Sequence, residues 1–268
     1  MKYVYTLFSI VVALLFLLPF VWMIAVSLKP ENTAIVDIMS WFKPPYTLEM
    51  YTNVLNSTPL MRWMYNSLIV AVFVTIFTLI ANSMAAFALS KFNFRFKRFT
   101  FIFILAGLMV PGEATIIALY QTAKELNLLD SYQGLILTAI ASPFAVIVLK
   151  SFFDGIPNEI MESAKIDGSG MFRIYYQIVL PLSKPALSAI AILTFIGSWN
   201  NFLWPFLSLT SQELFTLPMG IPTLMAQYSA DYVKPMTINA LVSIPMIIVF
   251  LIFEKQFVKG LSFTGIKG

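Results

Sequence analysis

The sequence predicts an all-α, polytopic membrane protein with six transmembrane helices, and three observations carry that prediction. Hydrophobic residues make up 59% of the 268 residues and charged ones 11%, with a mean hydropathy of +0.83, far from the balance of soluble globular domains. Uncharged runs recur that reach the roughly 20 residues a helix needs to cross a hydrocarbon core of about 30 Å. These runs do not alternate apolar and polar residues, as the strands of a membrane β-barrel would.

Taken in order, the spans are expected at about Thr6–Leu28, Asn66–Leu89, Thr100–Gln121, Tyr132–Phe153, Pro185–Leu209 and Thr237–Glu254. The first has Lys2 before it and a small-residue stretch, Ala25-Val26-Ser27, near its end, but its apolar run is too long for a signal peptide and reads as an uncleaved anchor. Between spans one and two, Lys29 to Arg62 is the longest external segment, with Trp41, Phe42 and Tyr46 suited to the membrane interface. With the N-terminus inside, Lys91, Arg95, Lys97, Arg98, Lys150, Lys165, Arg173, Lys184, Lys255, Lys259 and Lys267 join Lys2 on the cytoplasmic side. Only Lys29, Lys43, Arg62, Lys124 and Lys234 are then external, so the positive-inside rule puts both termini in the cytoplasm.

The absence of Cys and His excludes disulfides, thiol chemistry and Ser-His catalysis, and removes the commonest transition-metal ligands. The net charge of +4 arises at span ends and forms no groove-sized patch, so membrane topology explains it better than nucleic acid, and membrane lipid is the expected surrounding. The terminal GLSFTGIKG at Gly260–Gly268 is a near miss to a phosphate-binding loop, because Ile266 separates Gly265 from Lys267. One intramembrane acid and no His make a poor proton relay, so any energy for transport is expected from a partner at the cytoplasmic face.

Polar residues inside the spans are the candidates for a solute pathway. Glu113 follows Pro111 and Gly112, which should kink the third span; it reads equally as a carboxyl facing water or as a structural group bonded to freed backbone. In the fifth span Trp199, Asn200 and Asn201 offer amides and a stacking face to a hydroxyl-rich solute, with interhelical hydrogen bonding and an interfacial Trp belt the favoured alternative. Asn82 lies in a stripe of small residues with Ala81, Ser83, Ala85 and Ala86, read first as helix packing and second as solute contact.

The longest internal loop, residues 154–184, carries acids, bases, a Gly turn and a Leu-Pro pair. Pro157 starts a short helix whose Glu159 and Glu162 complement its dipole; Gly168, Ser169 and Gly170 turn the chain; Met171 to Val179 form a second helix that Leu180-Pro181 should end. Ile160, Ala164 and Ile166 supply apolar side chains, with Ala164 small enough for close approach, so the loop is a candidate docking element. A solvated interfacial helix would also be amphipathic, without requiring this order of features.

These residues resemble a known signature. Glu162-Ser163-Ala164, Asp167-Gly168, then Ile178-Val179-Leu180-Pro181 is similar to the E-A-A-x-x-x-G-x(9)-I-x-L-P motif of bacterial ABC-importer permease subunits, with Ser163 in place of the second Ala. VPGEATIIALY, IDGSG, FIGSWNNFLWPF and FVKGLSFTGIKG extend the resemblance over the whole chain, toward the smaller permease of the carbohydrate-uptake branch, related to the maltose-transporter G subunit. The resemblance implies one permease domain, 1–268, whose loop 154–184 holds the coupling helix, docked through Glu162, Ser163, Ala164, Asp167, Gly168, Ile178, Leu180 and Pro181. It implies a sister permease in a heterodimer, two cytoplasmic ATPase subunits that bind ATP and Mg, and an external solute-binding protein. No cofactor is expected in this chain, which would be a transport subunit of the bacterial cytoplasmic membrane and not an enzyme. Its solute would be a sugar or oligosaccharide, or alternatively a glycerol-phosphate-type polyol ester. A proton-coupled carrier using Glu113 and a purely structural membrane protein are the competing classes; neither accounts for the signature loop.

Overall fold

A computed structural model describes residues 2–33, 38–225 and 232–262, with side chains from Tyr3 to Glu254 within those ranges. Every regular element among them is helical. In chain order these are α1 (Lys2–Ser27), α2 (Ile38–Trp41), α3 (Glu49–Ser57), α4 (Leu60–Lys91), α5 (Lys97–Gly107), α6 (Gly112–Glu125), α7 (Tyr132–Leu137) and α8 (Pro143–Asp154). There follow α9 (Asn158–Ile166), α10 (Met171–Ile174), a π turn (Tyr175–Val179), α11 (Leu180–Leu182), α12 (Lys184–Trp199), α13 (Leu203–Ser208), a 3₁₀ turn (Gln212–Leu214), α14 (Leu217–Met225) and α15 (Val233–Ser262).

Stretches of α1, α4 and α15 are each long and apolar enough to cross a membrane alone. The pairs α5 with α6 and α10–α11 with α12 pass the same test together but bend by 103° and 79°. The third expected span is therefore broken over Leu108–Pro111 instead of kinked, because Pro111 supplies no N–H and opens a new helix at Gly112. The fourth, expected to be continuous, is two short helices, α7 and α8, parted at residues 138–142. Ser142 caps α8 by accepting from Ala145 N at 3.2 Å, with Pro143 at the first helical position. Of the terminal Gly260–Gly268 motif, residues 263–268 lie outside the described residues, as do all its side chains.

The described chain divides into two compact units, and each has its own interior. In the first, residues up to Met64 with Leu217–Phe250, Ser27 joins three segments: its hydroxyl meets Tyr51 Oη at 2.6 Å and its carbonyl accepts from Thr237 Oγ1 at 3.2 Å. Lys29 is 1% exposed, bonded to the Lys43 carbonyl and 4.3 Å above the Tyr46 ring; burial holds its ammonium below the usual lysine range. The outer turns of α1 present Tyr3, Phe8, Leu15 and Phe16 to the surroundings, as lipid permits and water does not.

The second unit, Tyr65–Thr216 with the chain from Leu251, holds the larger core. Ala86, Phe87 and Leu89 of α4 meet Val146, Leu149 and Phe153 of α8, Met161 and Ala164 of α9, Ile174, Tyr175 and Val179, and Ile190 of α12. Gly134 of α7 has no space for a side chain, since a Cβ there would lie 1.9 Å from the Leu128 carbonyl oxygen. A Gly134→Ala chain is therefore expected to lose about 1–3 kcal/mol through backbone displacement, whereas Gly112→Ala, with nothing within 4 Å, should change stability by under about 0.5 kcal/mol. Thermal unfolding of the two purified variants checks the contrast.

Candidate functional site

Two places in the second unit concentrate polar groups: a cavity among the broken helices and the charged segment after α8.

Asn82 of α4 closes the gap between α7 and α8. Its amide nitrogen donates to the Thr78 carbonyl and to the Ile140 carbonyl, each at 2.7 Å, and its amide oxygen accepts from Ser142 N at 2.9 Å. One 4% exposed side chain thus serves the orphan carbonyl at one helix end and the orphan N–H at the next start. Further along the same helix, Asn66 donates to the carbonyls of Glu213 and Phe215 at 2.8 and 2.9 Å and accepts from Tyr132 Oη at 2.7 Å.

Asp130, in the left-handed region at φ 51°, holds the chain between α13 and the 3₁₀ turn. Its carboxylate accepts from Thr210 N and Ser211 N, both at 2.9 Å, and from Ser211 Oγ at 2.5 Å, while its own N–H donates to the Ser208 carbonyl. The Ser211 hydroxyl and the two backbone N–H groups stabilise the anion and bring its pKa down to about 2. Neither Asn66 nor Asp130 stood out in the sequence, since their partners lie from 66 to 149 residues away.

Between these anchors lies a cavity of about 290 Å³, walled by α4 (Val70, Val74, Thr78), α7, Ser142, α12 (Leu193, Thr194, Gly197, Ser198), Asn201, Trp204, Pro205 and Thr216. Among the described residues, no Asp, Glu, Lys or Arg is on the wall. Trp204 is oriented by its indole N–H, which donates to the Gly134 carbonyl at 3.1 Å. Of the five residues read as pathway candidates, Asn201 alone reaches the cavity; its amide oxygen accepts from Trp204 N at 3.4 Å. Asn82 stands one residue behind, through Ser142. Trp199 is buried and stacked on Phe195 with centroids 6.0 Å apart, and exposed Asn200 donates to the Ile196 carbonyl at 3.0 Å. Glu113 sits exposed in the first turn of α6, away from the cavity wall and next to the positive end of that helix.

The charged segment is anchored at its entry and divided into two faces. Lys91 Nζ donates to the Ile156 carbonyl at 2.8 Å and to Asn158 Oδ1 at 3.3 Å, and Ser90 Oγ to Asp154 at 2.7 Å. Met161 and Ala164 of α9 are buried, so Ala164, expected to allow close approach, packs into the chain's own core. Glu159, Ile160, Glu162, Ser163, Ile166 and Asp167 form the exposed face. Gly168, at φ 81°, ends α9: Ser169 N donates to the Ala164 carbonyl at 2.9 Å and Gly168 N to the Lys165 carbonyl at 3.0 Å, the Schellman pattern. Ile178 and Leu180 pack partly buried against the core. Leu180-Pro181 does not end the second helix, as expected, because the chain widens into the π turn first and α11 carries Pro181 near its start, where no N–H is needed. The bend comes instead at Ser183, before α12.

Apolar helices of membrane-spanning length, a cavity among broken helices and an anchored amphipathic segment are the features of a membrane transport component. Residues 77–263 match the binding-protein-dependent transport system inner membrane components, and the chain belongs to that family. It is the permease component of an ABC importer, an integral membrane protein and not itself the enzyme, in a family whose members in general work with a partner permease, ATPases and a solute-binding protein. The arabinooligosaccharide transport system permease AraQ of Bacillus subtilis is 36% identical over 266 residues, 98% of this chain and 95% of that one. The sn-glycerol-3-phosphate transport system permease UgpE of Yersinia pestis is 36% identical over 208 residues (77% and 74%), and the sulfoquinovosyl glycerol permease SmoH of Agrobacterium fabrum 31% over 256 (94% and 89%). A solved bacterial ABC transporter involved in import of the acidic polysaccharide alginate has the same fold, with a TM-score of 0.85, 22% identity and 95% of each chain covered.

Asn82→Leu strands the Ile140 carbonyl and Ser142 N–H and is expected to destabilise the chain by about 2–4 kcal/mol, read as a lower melting temperature of the purified protein. For Asp130 the folded pKa lies below the ordinary 3.8, so its contribution is complete above that value and is lost as pH falls through about 2. The stability gap between wild type and Asp130→Asn should be constant above about pH 5 and narrow steadily toward pH 2 in a pH series of thermal melts.

Proposed function

We propose that this chain is the smaller permease subunit of an ATP-driven importer carrying a neutral sugar or oligosaccharide across a bacterial cytoplasmic membrane by alternating access. The observation that carries the reading is the segment 154–184, whose inner face is locked into the core while its outer face of Glu159, Glu162, Ser163, Ile166 and Asp167 stays open for a partner. The relative named for arabinooligosaccharides and the uncharged cavity wall support a neutral saccharide, and the relative named for sulfoquinovosyl glycerol, a sulfonated sugar, supports the sugar class alone.

On this reading residues 1–268 form one permease domain with six spans, the pairs α5–α6, α7–α8 and α12–α13 counting as one each, and both termini are cytoplasmic. The chain pairs with a sister permease, beneath which two ATPase subunits bind ATP and Mg, and an external binding protein delivers the solute. ATP closes the ATPase pair and moves α9 as a rigid body; because α9 shares a core with α4, α8 and α12, those helices follow. ATP and loaded binding protein must favour the same conformation, which is what couples them. Glu162, Ser163 and Asp167 touch the ATPase, Gly168 sets the turn, and Ala164, Ile178, Leu180 and Pro181 hold the segment's shape.

The likeness to UgpE favours a second solute, sn-glycerol 3-phosphate, and uptake assays with both solutes decide between them. Import that survives ATP depletion and collapses with the proton gradient would instead point to a carrier working through Glu113. Glu162→Lys reverses a charge on the open face, and Gly168→Val forces a branched residue to φ 81°. Both variants are expected to insert normally yet lose ATP-driven uptake by about ten-fold or more; wild-type uptake in both would falsify the docking role.

A further inference from the structure

Away from the cavity, the last turns of α4 face α10 and the π turn across a groove of about 370 Å³, with Met84, Phe87, Ala88 and Phe92 on one side and Met171, Phe172 and Tyr175 on the other. Met84, Ala88 and Phe92 recur every fourth residue, and Phe92 N still donates to the Ala88 carbonyl at 3.1 Å, so one stripe of the helix forms that side. Phe87 and Phe92 meet edge to face with centroids 5.6 Å apart. The one polar side-chain group among the seven is already satisfied, since the Tyr175 hydroxyl meets Ser83 Oγ at 2.7 Å. Nothing in the groove calls for a hydrogen-bonding occupant, yet Phe172 is 68% exposed and Met84 and Phe92 are exposed with it.

The two ends of the groove decide what covers it. Toward the middle of α4 it runs into an exposed apolar row, Phe73, Phe77, Ile80 and Met84, at helical spacing, which is the surface that lipid chains cover on a membrane-spanning helix. At the other end its lining residues stand beside bases. Arg95 comes three residues after Phe92, its guanidinium 5.5 Å from the centre of the Phe96 ring, and Arg173 follows Phe172. Both are exposed, and among the described residues neither is paired with an acid. Asp154, bonded to Ser90 near the end of α4, is taken up by Lys150 at 2.6 Å. From Met84 to Phe92 a helix rises about 12 Å, within the roughly 15 Å half-thickness of a hydrocarbon core that one acyl chain spans. An apolar slot that opens on a lipid-facing row and ends at two unpaired guanidiniums has the chemistry of an anionic phospholipid, one chain in the slot and the phosphate at the arginines. An apolar helix of a partner protein would fill the slot without using the arginines.

We propose that an anionic phospholipid of the cytoplasmic leaflet occupies this groove, its chain packed between α4 and α10 and its headgroup held by Arg95 and Arg173. The site rests on the orientation adopted above, in which α4 ends at the cytoplasmic face, where the leaflet is negatively charged. It adds a lipid contact to the segment 154–184, because Met171, Phe172 and Tyr175 belong to that segment.

The complete transporter is reconstituted in nanodiscs of phosphatidylethanolamine and phosphatidylglycerol in fixed proportion, with a trace of one lipid or the other carrying a photoreactive diazirine on its acyl chain. Crosslinks mapped by mass spectrometry to residues 84–92 and 171–175 should be about ten-fold more frequent with the phosphatidylglycerol probe, each base near the surface contributing roughly five-fold. Arg95→Gln combined with Arg173→Gln, two changes at exposed positions, should bring the two probes within about two-fold of each other. Equal crosslinking by both probes in the wild type, or a preference that survives in the double variant, overturns the headgroup contact. Crosslinks to neither segment mean that protein covers the groove and overturn the lipid altogether. These outcomes leave the importer reading standing, which ATP-driven uptake in vesicles of the same lipids tests by itself. The chain contains no cysteine, so Asn93→Cys reports the orientation: a membrane-impermeant maleimide should label it only in permeabilised cells, and labelling of intact cells overturns the orientation and the leaflet assignment together.

Discussion

Backbone polar groups in an apolar surrounding must find partners within the protein, and the architecture of the second unit follows from how that requirement is met where helices break. An unbroken helix satisfies itself, but the chain parts at residues 138–142 and again at Asn200–Phe202. Each gap exposes carbonyls and N–H groups that water would otherwise take. Asn82 answers the first with three hydrogen bonds from one amide, and Asn201 turns its carboxamide oxygen to the N–H at the start of α13. The gaps leave space as well as orphan groups, and the cavity lies between them, with Ser142 and Asn201 on its wall.

The same requirement explains why long, buried amides and not charges do this work. Asn82 and Asn66 each present donor and acceptor together and bring no net charge into a low-dielectric interior. A carboxylate does appear at Asp130, outside the spans, where two backbone N–H groups and a hydroxyl surround it. Fixing the segment after α13 in this way fixes Thr216 too, a few residues on, and so one wall of the cavity.

The signature of the charged segment was legible in sequence because it is local: helix start, Gly turn and Leu-Pro pair fall within the 25 residues from Pro157 to Pro181. Its two faces were not. In sequence Ala164 is small enough for an outside partner's close approach; in the fold it shares a core with Ile174, Tyr175 and Val179. The π turn was equally hidden, since nothing in YYQIV announces a wider register. The break before α8 did leave a sign, Ser142 followed by Pro143, a helix-start pair set inside an apolar run that invited a single continuous span.

Composition and the length of uncharged runs by themselves determined that this is a helical membrane protein, because the cost of bringing charge and unpaired backbone into hydrocarbon acts on each segment independently of the others. Motif spacing likewise determined its family. Which polar residues close the gaps, which face of the charged segment is left open and which residues surround the cavity were decided only by tertiary structure. Those outcomes depend on partners 58 to 149 residues apart, such as Asn82 with Ile140 and Asn66 with Phe215. No local pattern encodes such pairs, since each member is satisfied by the chain's path through space and not by its neighbours in sequence.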